Sequence, residues 1–66
     1  MQLIINGEEK RFEEGISLQE IITTLKIEDK VMAAAVNMDI VKKENWKDYR
    51  PVNDDKLELL QFVGGG

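Results

Sequence analysis

One segment of the chain has the periodicity of an amphipathic helix, and this segment limits the possible folds more than any other. Its apolar positions, spaced i, i+3, i+4 and i+7, are Leu18, Ile21, Ile22 and Leu25. The pattern Ser17-Leu18-Gln19-Glu20 is typical of a capping box at a helix N-terminus. We therefore expect one helix of about ten residues that buries this face. The other apolar residues fall in runs short enough for strands.

The first two strands are predicted on either side of a tight turn. Residues 2–5 are mostly apolar and are followed by Asn6-Gly7, the dipeptide that best tolerates the positive φ of a two-residue hairpin loop. The chain is expected to return as a strand through Glu9 to Glu13. Phe12 is the only large apolar residue of that strand, so we place it at a sheet edge with Glu9, Arg11 and Glu13 in water.

The alanine-rich run from Val31 to Val36 is ambiguous by composition. Three alanines favour helix, whereas the shortness of the run and the following Asn37 favour a strand buried on both sides. We predict a strand. The later predicted elements are a short strand at Ile40-Val41, a helical turn at Lys43–Trp46, a turn at Val52–Asp55 and a final strand at Lys56–Val63.

This order of elements predicts an α+β fold of the β-grasp, ubiquitin-like type. The two terminal strands would lie side by side in the middle of a mixed sheet of four to five strands, with the helix across one face. We expect residues 1–63 to form a single domain and residues 64–66 to form a flexible glycine tail.

Composition excludes several kinds of chemistry. Among the 66 residues there is no cysteine and no histidine, so thiolate zinc sites and Ser-His or Cys-His nucleophile pairs are impossible. The net charge of −4 disfavours nucleic acid and anionic membranes as partners. The opening apolar run, Leu3–Ile5, is much too short for a signal peptide or a membrane span. We therefore expect a cytoplasmic protein.

The sequence ends in Gly64-Gly65-Gly66, directly after the predicted last strand. Three residues without side chains reach roughly 10 Å when extended and can thread a narrow channel. This form suits presentation of the terminal carboxylate to the active site of another protein. The alternative is a disordered end or an expression scar. Together with a ubiquitin-like order of elements, the tail favours presentation of the carboxylate over a disordered end or a scar.

Alternation along the last strand predicts a docking patch next to the tail. Leu57 and Leu59 point to one face, and Leu60 and Phe62 point to the other. If the first pair packs under the helix, Leu60 and Phe62 remain on the open face, and we expect Ile4 beside them. The alternatives are that a loop covers this face or that the strand twists out at Gln61.

Two other features are predicted to be structural. Trp46 is expected to cover an edge of the core, with its indole N–H donating to a backbone carbonyl. Asp54 and Asp55 are adjacent acids that resemble a magnesium site, but adjacent acids in a turn are far more often turn formers. No metal site is therefore expected.

At this point the chain resembles a known family, the ThiS family of bacterial sulfur-carrier proteins. The resemblance covers the whole length and is carried by Val36-Asn37-Met38-Asp39-Ile40-Val41, Trp46, Val52-Asn53-Asp54-Asp55, Leu57 and Gly65-Gly66. Lys42 stands where family members often have proline, and Asp54-Asp55 stands where they have a Gly-Asp turn. Asp54 is therefore expected to adopt a left-handed conformation.

The resemblance implies a carrier rather than an enzyme. A ThiF-like, E1-like adenylating enzyme would use MgATP to activate the Gly66 carboxylate, and this chain would bind no cofactor itself. A persulfide supplied through a cysteine desulfurase would then give a C-terminal thiocarboxylate. A ThiG-like thiazole synthase would receive the sulfur for the thiazole of thiamine.

Three other functions stay open on the sequence alone. The first is a sulfur carrier for molybdopterin, like the small subunit of molybdopterin synthase, although such proteins are usually longer and have prolines where Gln61-Phe62-Val63 stand. It also shares features with ubiquitin-like modifiers that join Gly66 to lysine. The third alternative is a β-grasp interaction module with an inert tail.

Overall fold

The predicted α+β architecture is confirmed by a computed structural model that describes residues 1–62. The elements are strand β1 (Gln2–Ile5), strand β2 (Glu8–Arg11), helix α1 (Leu18–Thr24), strand β3 (Val31–Val36), strand β4 (Asp39–Val41), a 3-10 turn (Lys43–Asn45) and strand β5 (Lys56–Gln61). The sheet order is β2-β1-β5-β3-β4. The terminal strands β1 and β5 are parallel neighbours, and the other pairs are antiparallel. This is the β-grasp arrangement.

Helix α1 buries the predicted face but is shorter than expected. Leu18, Ile21 and Ile22 are fully buried, whereas Leu25 is the C-cap and is half-buried. The helix ends early because Lys26 adopts a left-handed φ of 60°. The N–H groups of Lys26 and Ile27 then donate to the carbonyls of Thr23 and Ile22 at 3.0 and 3.3 Å, the bonding pattern of a Schellman motif. At seven residues, α1 is too short to cross a membrane, and no other helix in residues 1–62 is long and apolar enough.

The capping box at the start of α1 is confirmed. The Ser17 hydroxyl accepts a hydrogen bond from the Glu20 N–H at 3.1 Å, and the Glu20 carboxylate accepts one from the Ser17 N–H at 3.0 Å. The bond from the Ser17 N–H, with a smaller contribution from the hydroxyl, holds the pKa of Glu20 below its ordinary value. Two N–H groups that the helix cannot satisfy internally thus have partners.

Strand β3 is confirmed as a strand, but the expectation that it is buried on both sides is wrong. Its core residues, Val31, Ala34 and Val36, are spaced by three residues and then by two. A β-bulge produces this spacing, because Val31 pairs with Gln61 while Ala33 pairs with Leu60. The extra residue, Met32, is 64% exposed. The face of the sheet opposite the helix is therefore open at β3.

The edges and turns follow the predictions with small shifts. Strand β2 is an edge strand, as predicted, but it spans Glu8–Arg11 rather than Glu9–Glu13. Phe12 lies just outside it and exchanges backbone hydrogen bonds with Met1 at 2.7 and 3.0 Å. Asp54 has a left-handed φ of 70°, as expected. Strand β5 ends at Gln61, so the predicted strand over Lys56–Val63 is too long at Phe62, and its last predicted residue, Val63, lies outside the described residues.

Trp46 and the acidic turn have the structural roles predicted for them. Trp46 is 1% exposed, and its indole N–H donates to the Val41 carbonyl at 2.8 Å. One Asp55 oxygen accepts from the Val52 N–H, and the other accepts from the Asn37 side chain, both at 2.9 Å. Within residues 1–62, no cluster of three potential metal-ligating side chains is found.

Candidate functional site

The candidate site is the end of β5, where the chain leaves the sheet. The last described residue, Phe62, donates its backbone N–H to the Lys30 carbonyl at 2.6 Å. This bond ties the exit of β5 to the start of β3. The predicted tail, Gly64, Gly65 and Gly66, lies outside the described residues and stays a prediction. The described part of the site is therefore the platform from which the tail begins.

Asn6 strengthens this platform in a way that the sequence analysis missed. Its side-chain oxygen accepts from the Leu59 N–H at 2.8 Å, and its side-chain amide donates to the Leu59 carbonyl at 3.2 Å. The carboxamide thus continues the β1–β5 ladder where the backbone of β1 turns away. Asn6 was assigned only a turn role, since Asn-Gly is typical of any tight hairpin.

The predicted division of β5 into two faces is confirmed. Leu57 and Leu59 are buried in the core, whereas Leu60 and Phe62 are each 62% exposed. Exposed leucine and phenylalanine side chains gain little free energy on folding, because most of their apolar surface stays in water. Their position directly before the tail is consistent with docking, which stays a prediction.

The structure does not place Ile4 beside Leu60, so the expectation of one patch that includes Ile4 is wrong. The parallel register pairs Ile4 with Lys56, four residues before Leu60 on β5. At about 3.3 Å per residue, the two side chains are separated by roughly 13 Å along the strand. Ile4 is also half-buried. The position of Ile4 depends on a register between the two ends of the chain, which no local pattern in the sequence specifies.

Leu60 instead shares a groove with residues of β3 and β4, which we call the open-face groove. It is lined by Asn6, Ala33, Ala34, Ala35, Met38, Ile40, Glu58, Leu59 and Leu60. Ala33 pairs with Leu60, and Ala35 pairs with Glu58 on one side and with Ile40 on the other. Because alanine side chains end at Cβ, they form the floor, and the longer side chains around them form the walls. The alanine run was the sequence signal for this groove.

Two ionisable side chains have shifted pKa values, and both belong to other parts of the fold. The pKa of Glu20 is lowered by its hydrogen bonds in the capping box. Burial, with smaller contributions from Asp55 and Asp39, raises the pKa of Tyr49 above 10.0. Glu20 is in the helix, and Tyr49 lies between β4 and β5. The described part of the site therefore consists of the open-face groove, exposed apolar side chains and the end of β5.

A mixed five-stranded sheet with parallel terminal strands and one helix across it defines a ubiquitin-like β-grasp protein. The model of the ThiS family matches residues 3–66. The chain belongs to the ThiS family.

Individual relatives agree with this assignment. The sulfur carrier protein ThiS of Bacillus subtilis is 26% identical over 65 residues, which cover 97% of this chain and 98% of that protein. The crystal structure of a thiamine biosynthesis protein (ThiS) from Geobacter metallireducens superposes with a TM-score of 0.82 at 26% identity and covers 100% of both chains.

A longer relative also contains a similar region. The thiazole synthase of Paramagnetospirillum magneticum is 33% identical over 66 residues, which are 100% of this chain. This chain spans only 20% of that protein. A segment similar to the whole of this chain is therefore part of a much longer polypeptide in that organism.

Proposed function

We propose that this chain carries sulfur for thiamine thiazole biosynthesis on the carboxylate of Gly66. The observation that carries the proposal is the match to the ThiS family, which extends through residue 66 and so includes the glycine end. Relatives of nearly the same length are named sulfur carrier proteins. These comparisons favour the thiamine carrier over a molybdopterin-synthase subunit, a protein modifier or an inert module.

Activation of Gly66 requires a partner enzyme. A carboxylate is a poor acyl donor, so an E1-like adenylating enzyme would bind MgATP and guide attack of a Gly66 carboxylate oxygen on the α-phosphorus. Pyrophosphate leaves, and the product is an acyl adenylate with AMP as a good leaving group. A persulfide sulfur, supplied through a cysteine desulfurase, then attacks the acyl carbon and displaces AMP. A thiol that cleaves the S–S bond would leave the thiocarboxylate and a disulfide.

This chain contributes presentation rather than catalysis. It has no histidine and no cysteine in its 66 residues, so the nucleophilic sulfur must come from the partners. Its own contributions are the fixed exit of β5, the apolar side chains of Leu60 and Phe62 beside that exit, and a tail narrow enough to enter an active site. The chain is a co-substrate in this scheme, and MgATP belongs to the adenylating enzyme.

A thiazole-synthase-like enzyme is the proposed acceptor of the sulfur. The relative from Paramagnetospirillum magneticum supports this choice, because a protein named thiazole synthase contains a segment similar to the whole of this chain. When two units that act on each other belong to a single polypeptide, the covalent link raises their effective concentration. The same pairing supports an acceptor that binds this β-grasp unit directly.

The proposal is tested by ATP–pyrophosphate exchange with a ThiF-like adenylating enzyme. The wild-type chain should support exchange. One alanine added after Gly66 should abolish it, because the carboxylate moves by roughly 3.5 Å, more than a near-attack geometry tolerates. Gly65→Val should also fail, since its side chain would block a channel that fits glycine. Full exchange by the extended chain would contradict the proposal. Unchanged melting temperatures would show that both variants are folded.

A further inference from the structure

The β-bulge in β3 lies next to the point where β5 leaves the sheet. Ala33 pairs with Leu60, and the next residue of β5, Gln61, pairs with Val31. Met32 is therefore an extra residue of β3 that has no partner on β5. Only one pair of strand residues lies beyond the bulge before β5 ends. The bulge thus separates the exit of β5 from the regular part of the sheet.

The segment beyond the bulge is held by the connection that follows helix α1. The N–H groups of Lys30 and Val31 both donate to the Ile27 carbonyl, at 2.8 and 3.1 Å. The Lys30 carbonyl in turn accepts from the Phe62 N–H at 2.6 Å. The end of β5 is therefore attached, through Lys30 and Val31, to the loop after the helix. Its direction depends on how that loop joins β3, and the bulge lies at this junction.

Burial of the core does not require the extra residue. Side chains alternate between the two faces along a regular strand. Without Met32, Val31 would directly precede Ala33, which lines the open-face groove, so Val31 would still point to the helix side. Its pairing with Gln61 would be kept, as would the hydrogen bond beyond that pair. Met32 itself is mostly exposed, so core packing does not account for the bulge.

We infer that Met32 is a positioning residue for the glycine end, an inference that rests on the proposed function. A bulge bends its strand and increases the local twist of the sheet. The four residues beyond Phe62 span at most about 14 Å, and a tail that threads a narrow channel is extended, without slack to absorb a change of direction. A tilt of about 20° at the exit, similar to the twist between neighbouring strands, would move the end of such a tail by roughly 5 Å. The extra residue thus sets the direction in which the Gly66 carboxylate is presented.

The test compares deletion of Met32 with Met32→Ala in ATP–pyrophosphate exchange. The deletion removes the bulge, whereas alanine keeps the extra residue and removes only the side chain. The deletion should leave the melting temperature within about 5 °C of the wild type. It should lower kcat at least about tenfold and keep the KM for the carrier within about twofold, because the carboxylate is misplaced in a chain that still docks. Met32→Ala should keep kcat within about twofold of the wild type. A purely structural role would change the melting temperature but not the kcat of the folded chain.

A double variant, Val31→Ala with Met32→Val, tests the same point at full chain length if the deletion does not fold. It moves the buried valine by one position, so that a regular ladder rather than the bulge buries it. Cross-strand NOEs between residue 32 and Gln61 identify the regular ladder, and kcat should fall as in the deletion.

Two results would overturn the inference on the bulge. One is an unchanged kcat in a variant whose ladder is regular, whether or not KM rises, since the bulge would then not position the carboxylate. The other is an equal loss of kcat in Met32→Ala, because the side chain rather than the extra residue would then be responsible. Failure of the wild-type chain to be adenylated would instead overturn the proposed function.

Discussion

The two faces of the sheet are built from the same strands, but apolar side chains are buried on one face and exposed on the other. On the helix side, Leu3, Ile5, Leu57 and Leu59 are at most 4% exposed, and their burial stabilises the fold. On the other side, Leu60 alternates with Leu57 and Leu59 on one strand and stays mostly in water. The comparison shows that apolar character by itself does not identify the core. We propose that a partner protein contacts the exposed apolar side chains of the open face.

The largest expected difference between the faces is in stability. Ile22→Ala on the helix side removes a fully buried side chain and should cost about 2 to 5 kcal/mol. A domain of this size has a total stability of roughly 3 to 10 kcal/mol, so the variant should be partly or wholly unfolded. Leu60→Ala should change stability by less than about 0.5 kcal/mol. Urea unfolding followed by circular dichroism measures both, and equal losses would remove the distinction between the faces.

The reverse difference is expected in partner binding. Leu60→Glu places a charge on the open face and should leave the melting temperature nearly unchanged, while the KM for the carrier in adenylation rises about tenfold or more. Val52→Glu is the matched control, because Val52 is 63% exposed but lies in the turn before β5. It should leave KM unchanged. If Leu60→Glu melts at a much lower temperature, Leu60 belongs to the core and the face assignment is reversed.

A smaller effect is expected at the edge of the core. Trp46→Phe keeps an aromatic ring but removes the N–H that donates to the Val41 carbonyl. A buried carbonyl that loses its partner should cost about 1 to 3 kcal/mol. Adenylation of the folded fraction should not change, because Trp46 is buried in the core and does not lie on the open face. Chemical denaturation measures the loss of stability, and ATP–pyrophosphate exchange kinetics measure adenylation. A raised KM at unchanged stability would place Trp46 in the docking surface.

The smallest expected effect is the pH dependence of the capping box. Hydrogen bonds with Ser17 lower the pKa of Glu20 in the folded state, so the ionised carboxylate stabilises the fold. This stabilisation is fully present above the unfolded value near 4.5 and is lost as the pH falls through the lower folded pKa. The stability difference between wild type and Glu20→Gln should therefore shrink in acid. Glu28→Gln is the control, because it also removes one negative charge but leaves the capping box intact. A difference that grows in acid would contradict this assignment.

Much of the fold could be predicted because its signals are local. The capping box at Ser17 and Glu20, the apolar helix spacing and the Asn6-Gly7 turn each lie within a few residues of sequence. Alternation along β5 likewise separates Leu59 from Leu60. The helix was predicted too long, because a left-handed Lys26 that ends it has no glycine to mark it. Local pattern thus predicted the elements better than their ends.

The site was predicted only in part because its arrangement depends on long-range pairing. The bulge at Met32 and the parallel register that moves Ile4 to Lys56 are properties of strand pairs. The groove above Ala33 and Ala35 exists only once β3, β4 and β5 are adjacent. The exposure of Leu60 could be predicted because it follows from alternation within a single strand, and Phe62, just beyond that strand, is exposed as well.

The account depends most on the claim that sulfur is carried at the carboxylate of Gly66. The most direct test is the intact mass of the protein after incubation with the adenylating enzyme, MgATP and a persulfide donor. We predict a gain that corresponds to one oxygen replaced by sulfur, located at Gly66 in the C-terminal fragment, and no gain when one alanine follows Gly66. An equal gain by the extended chain, or sulfur located at any other residue, would contradict the account.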